Sequence, residues 1–186
     1  MFSILLLCFQ IDKDSISVAN RINFDSLYDY ANTLLVKFNN EKDSARKVFI
    51  NSGAEGINYL VRKFDTKHAA EMSTLEEILK RMGRPAIEGI LENINYRGTD
   101  EEARSLRLSL RIISEIFKFD STLVGDDIVS RIEKFIYDQD WRVRGGVATA
   151  LGYSKSRKAL PHLLVLIKDT INVVRKSAAF GIKNIA

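Results

Sequence analysis

Cysteine occurs once in the 186 residues, tryptophan once, and proline and histidine twice each. A lone Cys8 can neither close an internal disulfide nor build a thiolate metal cluster, so a reducing, cytoplasmic setting is the expectation. Two prolines (Pro85, Pro161) and ten glycines leave little material for long turn-rich linkers, which favours helices. His68 and His162 lie 94 residues apart on different segments. His68-x-x-Glu71 can share a helical face, but one such pair is a poor metal site. No Ser-His-Asp or Cys-His arrangement is present, and Cys8 sits in an apolar stretch that would raise its thiol pKa. Gly145-Gly146 falls inside a periodic helix rather than in a phosphate-binding loop. No catalytic residue, metal or cofactor is therefore expected. The apolar stretch Met1–Phe9 lacks a preceding basic region, is far shorter than the ~20 residues of a membrane span, and carries bulky Leu7 before Cys8. A buried first helix is expected there, with residues 1–14 as a cap or incomplete first repeat and no membrane association.

What is present is apolar material, 46% of the chain, and 28% charged residues, enough for a continuous core under a solvated surface. The net charge of +4 is unevenly spread: residues 141–186 carry nine Lys/Arg against Asp169 alone, a net +8, which leaves −4 for residues 1–140. Such asymmetry points to an acidic partner for the C-terminal third.

The strongest signal is a pattern written twice, 31 residues apart. Asp138-x4-Val143-Arg144-x2-Val147-Ala148-x-Ala150-Leu151 returns as Asp169-x4-Val174-Arg175-x2-Ala178-Ala179-x-Gly181-Ile182. A fixed period of this size marks a stacked-repeat protein. Each copy places its apolar residues on one helical face, a helix A, with small residues where neighbouring helices can approach. Asp138 and Asp169 lie just upstream, where a carboxylate could cap the helix. Between the copies, Leu160, Leu163, Leu164 and Ile167 form a helix B from about Ser156 to Lys168, with Pro161 tolerable only near its start.

The B spacing continues backwards through Ile128/Ile132/Phe135, Ile87/Ile90/Leu91/Ile94, Ile57/Leu60/Val61/Phe64 and Leu27/Tyr30/Ala31/Leu34. The first residues of these sets step by 30, 30, 41 and 32. The long step coincides with Glu101–Phe119, a periodic stretch expected to form an A helix nearly twice the usual length. Leu106-Arg107-x2-Leu110 and Ala45-Arg46-x2-Phe49 are degraded copies of the Val-Arg pattern. Thr99-x-x-Glu102 and Ser73-x-x-Glu76 have capping-box spacing, and Gly83-Arg84-Pro85 should close one helix and open the next. No alternating strand pattern occurs. The expected fold is all-α, a single solenoid over residues 15–186 of about four and a half to five helix pairs.

Asp138, Val143-Arg144, Ala148-x-Ala150-Leu151-Gly152 and Leu160-x-x-Leu163-Leu164 resemble HEAT-like repeats of the phycobilisome (PBS) lyase type, strongly over the last 50 or so residues and faintly before residue 84. The resemblance implies a right-handed α-α superhelix of the HEAT/armadillo kind, with B helices on the concave side. It also implies that Arg144 and Arg175, with Asp138 and Asp169, are structural positions that hold repeats together. It does not imply the family's namesake activity, because nothing marks a groove for a tetrapyrrole. Related metal-dependent hydroxylases use several His-Glu pairs, and here Ala69 and Leu163 follow the two histidines.

Two binding readings follow. The first is a non-catalytic protein–protein scaffold whose partner contacts are polar side chains of the B helices: Asn58, Arg62, Glu88, Glu92, Arg131, Lys134 and His162. The second is nucleic-acid binding through the basic segment, as in HEAT-like DNA glycosylases, with Lys155, Arg157, Lys158 and Lys168 as candidate phosphate contacts. The last A helix, Asn172–Ala186, carries few polar caps beyond Arg175, Lys176 and Lys183, so a partner, a homodimer contact or a solenoid cut short at that end is expected.

Overall fold

The computed structural model describes residues 22–33, 39–94 and 100–186. The expected N-terminal cap at residues 1–14, Leu34 and the proposed cap Thr99 lie outside them.

Among the described residues all regular structure is helical. The chain runs through α1 (Phe24–Ala31), α2 (Asn39–Asn51), α3 (Gly53–Val61), α4 (Ala69–Met82), α5 (Arg84–Asn93), α6 (Asp100–Phe119), α7 (Asp126–Ile132), α8 (Trp141–Tyr153), α9 (Leu160–Leu166) and α10 (Asn172–Ile185). Short 3-10 turns at Ser121–Leu123, Glu133–Phe135 and Arg157–Ala159 complete the connections. The even-numbered helices pack in sequence, α2 on α4, α4 on α6, α6 on α8 and α8 on α10, forming the A layer. The odd-numbered helices are the B partners that pair with them. The leading residues of every B-type set fall on an odd-numbered helix, whereas Phe64, Ile94, Phe135 and Ile167, the last of their sets, lie just past the helix ends.

One core runs the length of the stack between the layers, through Phe49, Leu60, Leu75, Ile78, Ile87, Leu110, Ile113, Ile128, Val143, Val147, Leu151 and Leu163. Its continuity follows from the i, i+3, i+4 apolar spacing of each helix, which can be buried only against the neighbouring repeat. The long helix α6 has 20 residues against 13 or 14 for the other A helices, about one and a half times their length rather than nearly double.

Boundaries follow local chemistry. Gly83 takes φ +64 between α4 and α5, a left-handed conformation that suits glycine, and Pro85 occupies the first turn of α5. Pro161 likewise sits in the first turn of α9. Ser73-x-x-Glu76 is not a boundary: α4 begins at Ala69, and Ser73 is exposed within the helix. The segment Ala69-Ala70-Glu71-Met72 is rich in strong helix formers, so the helix extends a turn further back than the cap spacing suggests.

The pattern aspartates also differ from simple caps. Asp140, not Asp138, caps α8 by accepting from the N–H of Arg142. Asp138 accepts from the Asp140 N–H at 2.7 Å, and Asp169 from the Ile171 N–H at 2.8 Å. Each carboxylate thus shapes the two-residue bend that leads into its helix, the Asx-type turn expected of aspartate.

Candidate interaction surfaces

The arginines of the Val-Arg pattern stand in the first two turns of A helices, where their guanidiniums reach past the helix N-terminus. Arg144 on α8 grips Asp169 with two parallel bonds, Nε to Oδ2 at 2.6 Å and Nη2 to Oδ1 at 3.0 Å. Its Nη1 donates to the carbonyls of Asp138 and Gln139 at 2.7 and 3.2 Å. One side chain therefore ties its own entry turn to the entry turn of the next repeat. The side chains of Arg144 and Asp169 are only 15% and 8% exposed, so the pair is shielded from solvent. The Arg144 hydrogen bonds hold the Asp169 carboxyl below the usual carboxylate range, with the Ile171 N–H adding to the effect and burial opposing it. Asp169 in turn raises the Arg144 pKa.

The degraded copies do related work. Arg107 on α6 lies 3.8 Å from Asp140 at the head of α8. Arg46 on α2 donates to Ala31 O behind it, and to Glu77 and Thr74 on α4 ahead of it. Arg175 on α10 repeats only half of the arrangement: its Nη1 donates to the carbonyls of Asp169 and Thr170 at 2.7 and 2.9 Å. Among the described residues, no carboxylate meets its Nε and Nη2 edge.

The B-layer residues are differently disposed. Asn58, Arg62, Glu92 and Lys134 are exposed, and Glu88, Arg131 and His162 are half-buried. Asn58 accepts a long bond, 3.4 Å, from Asn93 of α5. Glu88 is engaged within its own helix by Arg84 at 2.8 Å. His162 Nε2 lies 2.6 Å from Glu133, joining α9 to the turn after α7. Glu133 and Asn93 were not singled out by sequence, although both sit about one repeat from their partners.

The basic residues divide between two edges of the last repeat. Lys155, Arg157 and Lys158 lie on the α8–α9 connection, while Lys168 follows the far end of α9. Lys158 is paired with Asp126 of α7 at 2.8 Å. Lys155, Arg157 and Lys168 are exposed and make no ion pair among the described residues. Trp141 begins α8 with the Arg142 guanidinium 4.9 Å from its ring centroid.

Two features escaped sequence reasoning. Phe24, Tyr28, Phe49 and Tyr59 form an aromatic cluster across α1, α2 and α3, with Lys63 Nζ 5.4 and 5.1 Å from the Tyr28 and Tyr59 rings. Tyr28 and Tyr59 donate to Glu71 and Asp25, and burial, with these carboxylates, pushes both phenols well above their ordinary pKa. A cavity of about 500 Å³ opens beside the Arg144–Asp169 pair, lined by Tyr137, Leu164, Val165 and Lys168. Among the described residues no three His, Cys, Asp or Glu side chains are grouped to hold a metal, and no helix is long and apolar enough to cross a membrane.

No family model matches the chain, and no curated protein does. Solved structures are similar in shape. The complex of CpcE and CpcF of phycocyanin lyase from Nostoc sp. PCC7120 superposes with a TM-score of 0.53 at 10% identity, covering 85% of this chain and 96% of that one. Computationally designed armadillo repeat proteins for modular peptide recognition superpose with a TM-score of 0.53 at 16% identity, covering 87% of this chain and 82% of theirs. At such identities the likeness speaks to fold alone: the chain is an all-α, right-handed α-α superhelix of the HEAT/armadillo kind.

Proposed function

We infer that the chain is a non-catalytic scaffold that binds a protein partner along its B-helix layer. The observation that carries this reading is where the repeated ionisable groups go. Arg46, Arg107 and Arg144 reach acids or polar groups of the following repeat, and Asp138 and Asp169 shape entry turns. That leaves recognition to side chains that do not repeat. Asn58, Arg62, Glu92 and Lys134 are the exposed members of that set, and their mixed charge suits a mixed peptide or protein surface better than a polyanion. The neighbouring solved structures support this use of the fold, one being an armadillo repeat protein designed for modular peptide recognition and another the complex of CpcE and CpcF.

Partners captured from cell extract by the full chain, quantified against the triple variant R62E/E92K/K134E, test the reading. The expected result is loss of specific partners with unchanged thermal unfolding, and cross-links from partners to B helices. Equal capture by the variant, with cross-links elsewhere, overturns it.

Lys155, Arg157 and Lys168, exposed and without an ion pair among the described residues, favour nucleic acid as the second reading. It requires a salt-sensitive shift of duplex or single-stranded DNA or RNA that is lost in K155A/R157A/K158A. No binding at low salt rules it out.

A further inference from the structure

The internal repeat allows α10 to be compared position by position with α8. On α8, Gly145, Ala148 and Gly152 form a buried stripe, and α10 lies against it. A Cβ placed on Gly152 would come within 2.5 Å of Gly181 Cα. The residues 31 positions later are Lys176, Ala179 and Lys183, and all three are exposed. Beside them Val173 and Phe180 are 52% and 42% exposed, although Phe180 makes an edge contact with Tyr153 on one side. The same stripe that α8 uses for close helix packing is thus, on α10, an apolar strip carrying two lysines two turns apart.

Lysines in place of glycines forbid the close backbone approach made by α8 and α10, so any helix seated here must stand further off, with side chains between the two backbones. Charge narrows the occupant further. Arg175, Lys176 and Lys183 share α10 with no acidic residue, and among the described residues the Nε and Nη2 edge of Arg175 lacks the carboxylate that Arg144 has in Asp169. Two copies of this face brought together would set like charges against each other. We propose that the outer face of α10 docks an amphipathic acidic helix of a partner protein, with carboxylates seven residues apart facing Lys176 and Lys183 and apolar side chains against Val173, Ala179 and Phe180. A further carboxylate would take the open edge of Arg175. This surface is separate from the B layer, so the partner here need not be the one bound there.

The full chain is titrated with a fluorescent, covalently stapled 18-residue helix bearing Leu at i, i+3, i+4 spacing and Glu at i, i+7 spacing. Micromolar binding is expected, weakened at least tenfold in K176E/K183E and restored by a helix with Lys in place of Glu. It should weaken as salt rises from 50 to 500 mM and be unaffected by R62E/E92K/K134E, which separates this surface from the B-layer reading. Both α10 lysines are exposed, so their reversal leaves the fold intact. Absence of binding, or binding indifferent to K176E/K183E, overturns the proposal. So does light scattering that shows a dimer of the unmodified chain converted to monomer by F180D, because a second copy would then own the face.

Discussion

Gly152 of α8 and Gly181 of α10 meet backbone to backbone, with no room for a Cβ on Gly152 without moving the other helix. A few residues away Gly145 is buried yet has only Val174 Cγ2, at 4.0 Å, near the position a Cβ would take. The two glycines should therefore respond oppositely to alanine. Gly152→Ala should lose about 1–3 kcal/mol through overpacking against backbone. Gly145→Ala should gain up to ~1 kcal/mol, the helix-propensity difference. Thermal unfolding of both variants checks the pair, and equal signs would refute the packing assigned to this crossing.

Capping offers a second contrast. Asp140 accepts the Arg142 N–H at the head of α8 and lies near the Arg107 guanidinium. Asp140→Ala should cost about 1 kcal/mol, the usual value of a lost N-cap. Ser73→Ala, inside α4 and exposed, should change stability by under ~0.5 kcal/mol. Denaturant midpoints for the two variants decide whether the Ser73 spacing is a cap.

Acid should act through Asp169. Its carboxyl is depressed in the folded chain by Arg144, so the unfolded chain binds the proton more readily. The stability contributed is fully present above the unfolded value of about 3.9 and is lost as pH falls through the lower folded value. Unfolding free energy measured between pH 6 and pH 2 should therefore fall less steeply in Asp169→Asn than in the native sequence. Parallel curves would show that Asp169 is not depressed.

Much of this architecture was legible because apolar spacing is a local property that only one packing satisfies. Leu27, Ile57, Ile87, Ile128 and Leu160 all fall on B helices, and Gly83-Arg84-Pro85 marks a real junction. Cap spacing was less reliable, since Ser73 had the right neighbour three residues on while Ala69–Met72 carried the helix past it. The role of Asp138 was legible only in part, because a carboxylate upstream of a helix can serve either the first turn or the bend before it. The distribution of the pattern arginines was visible as a repeat, but which acid each would meet depends on how the helices stack: Arg46 finds Glu77, Arg107 nears Asp140 and Arg144 takes Asp169. The His162–Glu133 and Lys158–Asp126 contacts are likewise products of stacking and left no local mark. The exposed stripe on α10 emerges only when the repeat and the burial of each copy are compared.

If the repeated Asp and Arg join neighbouring repeats instead of serving a ligand, Arg144 and Asp169 must be energetically coupled. A double-mutant cycle at Arg144 and Asp169, read by equilibrium unfolding, tests it most directly. Arg144→Ala should cost about 3 kcal/mol by stranding a shielded carboxylate, lowering Tm by roughly 6–12 °C in a domain of this size. Asp169→Ala should cost a similar amount, and the double variant about 4 kcal/mol, a coupling of about 2 kcal/mol. Single losses that simply add, to within ~0.3 kcal/mol, would contradict the account.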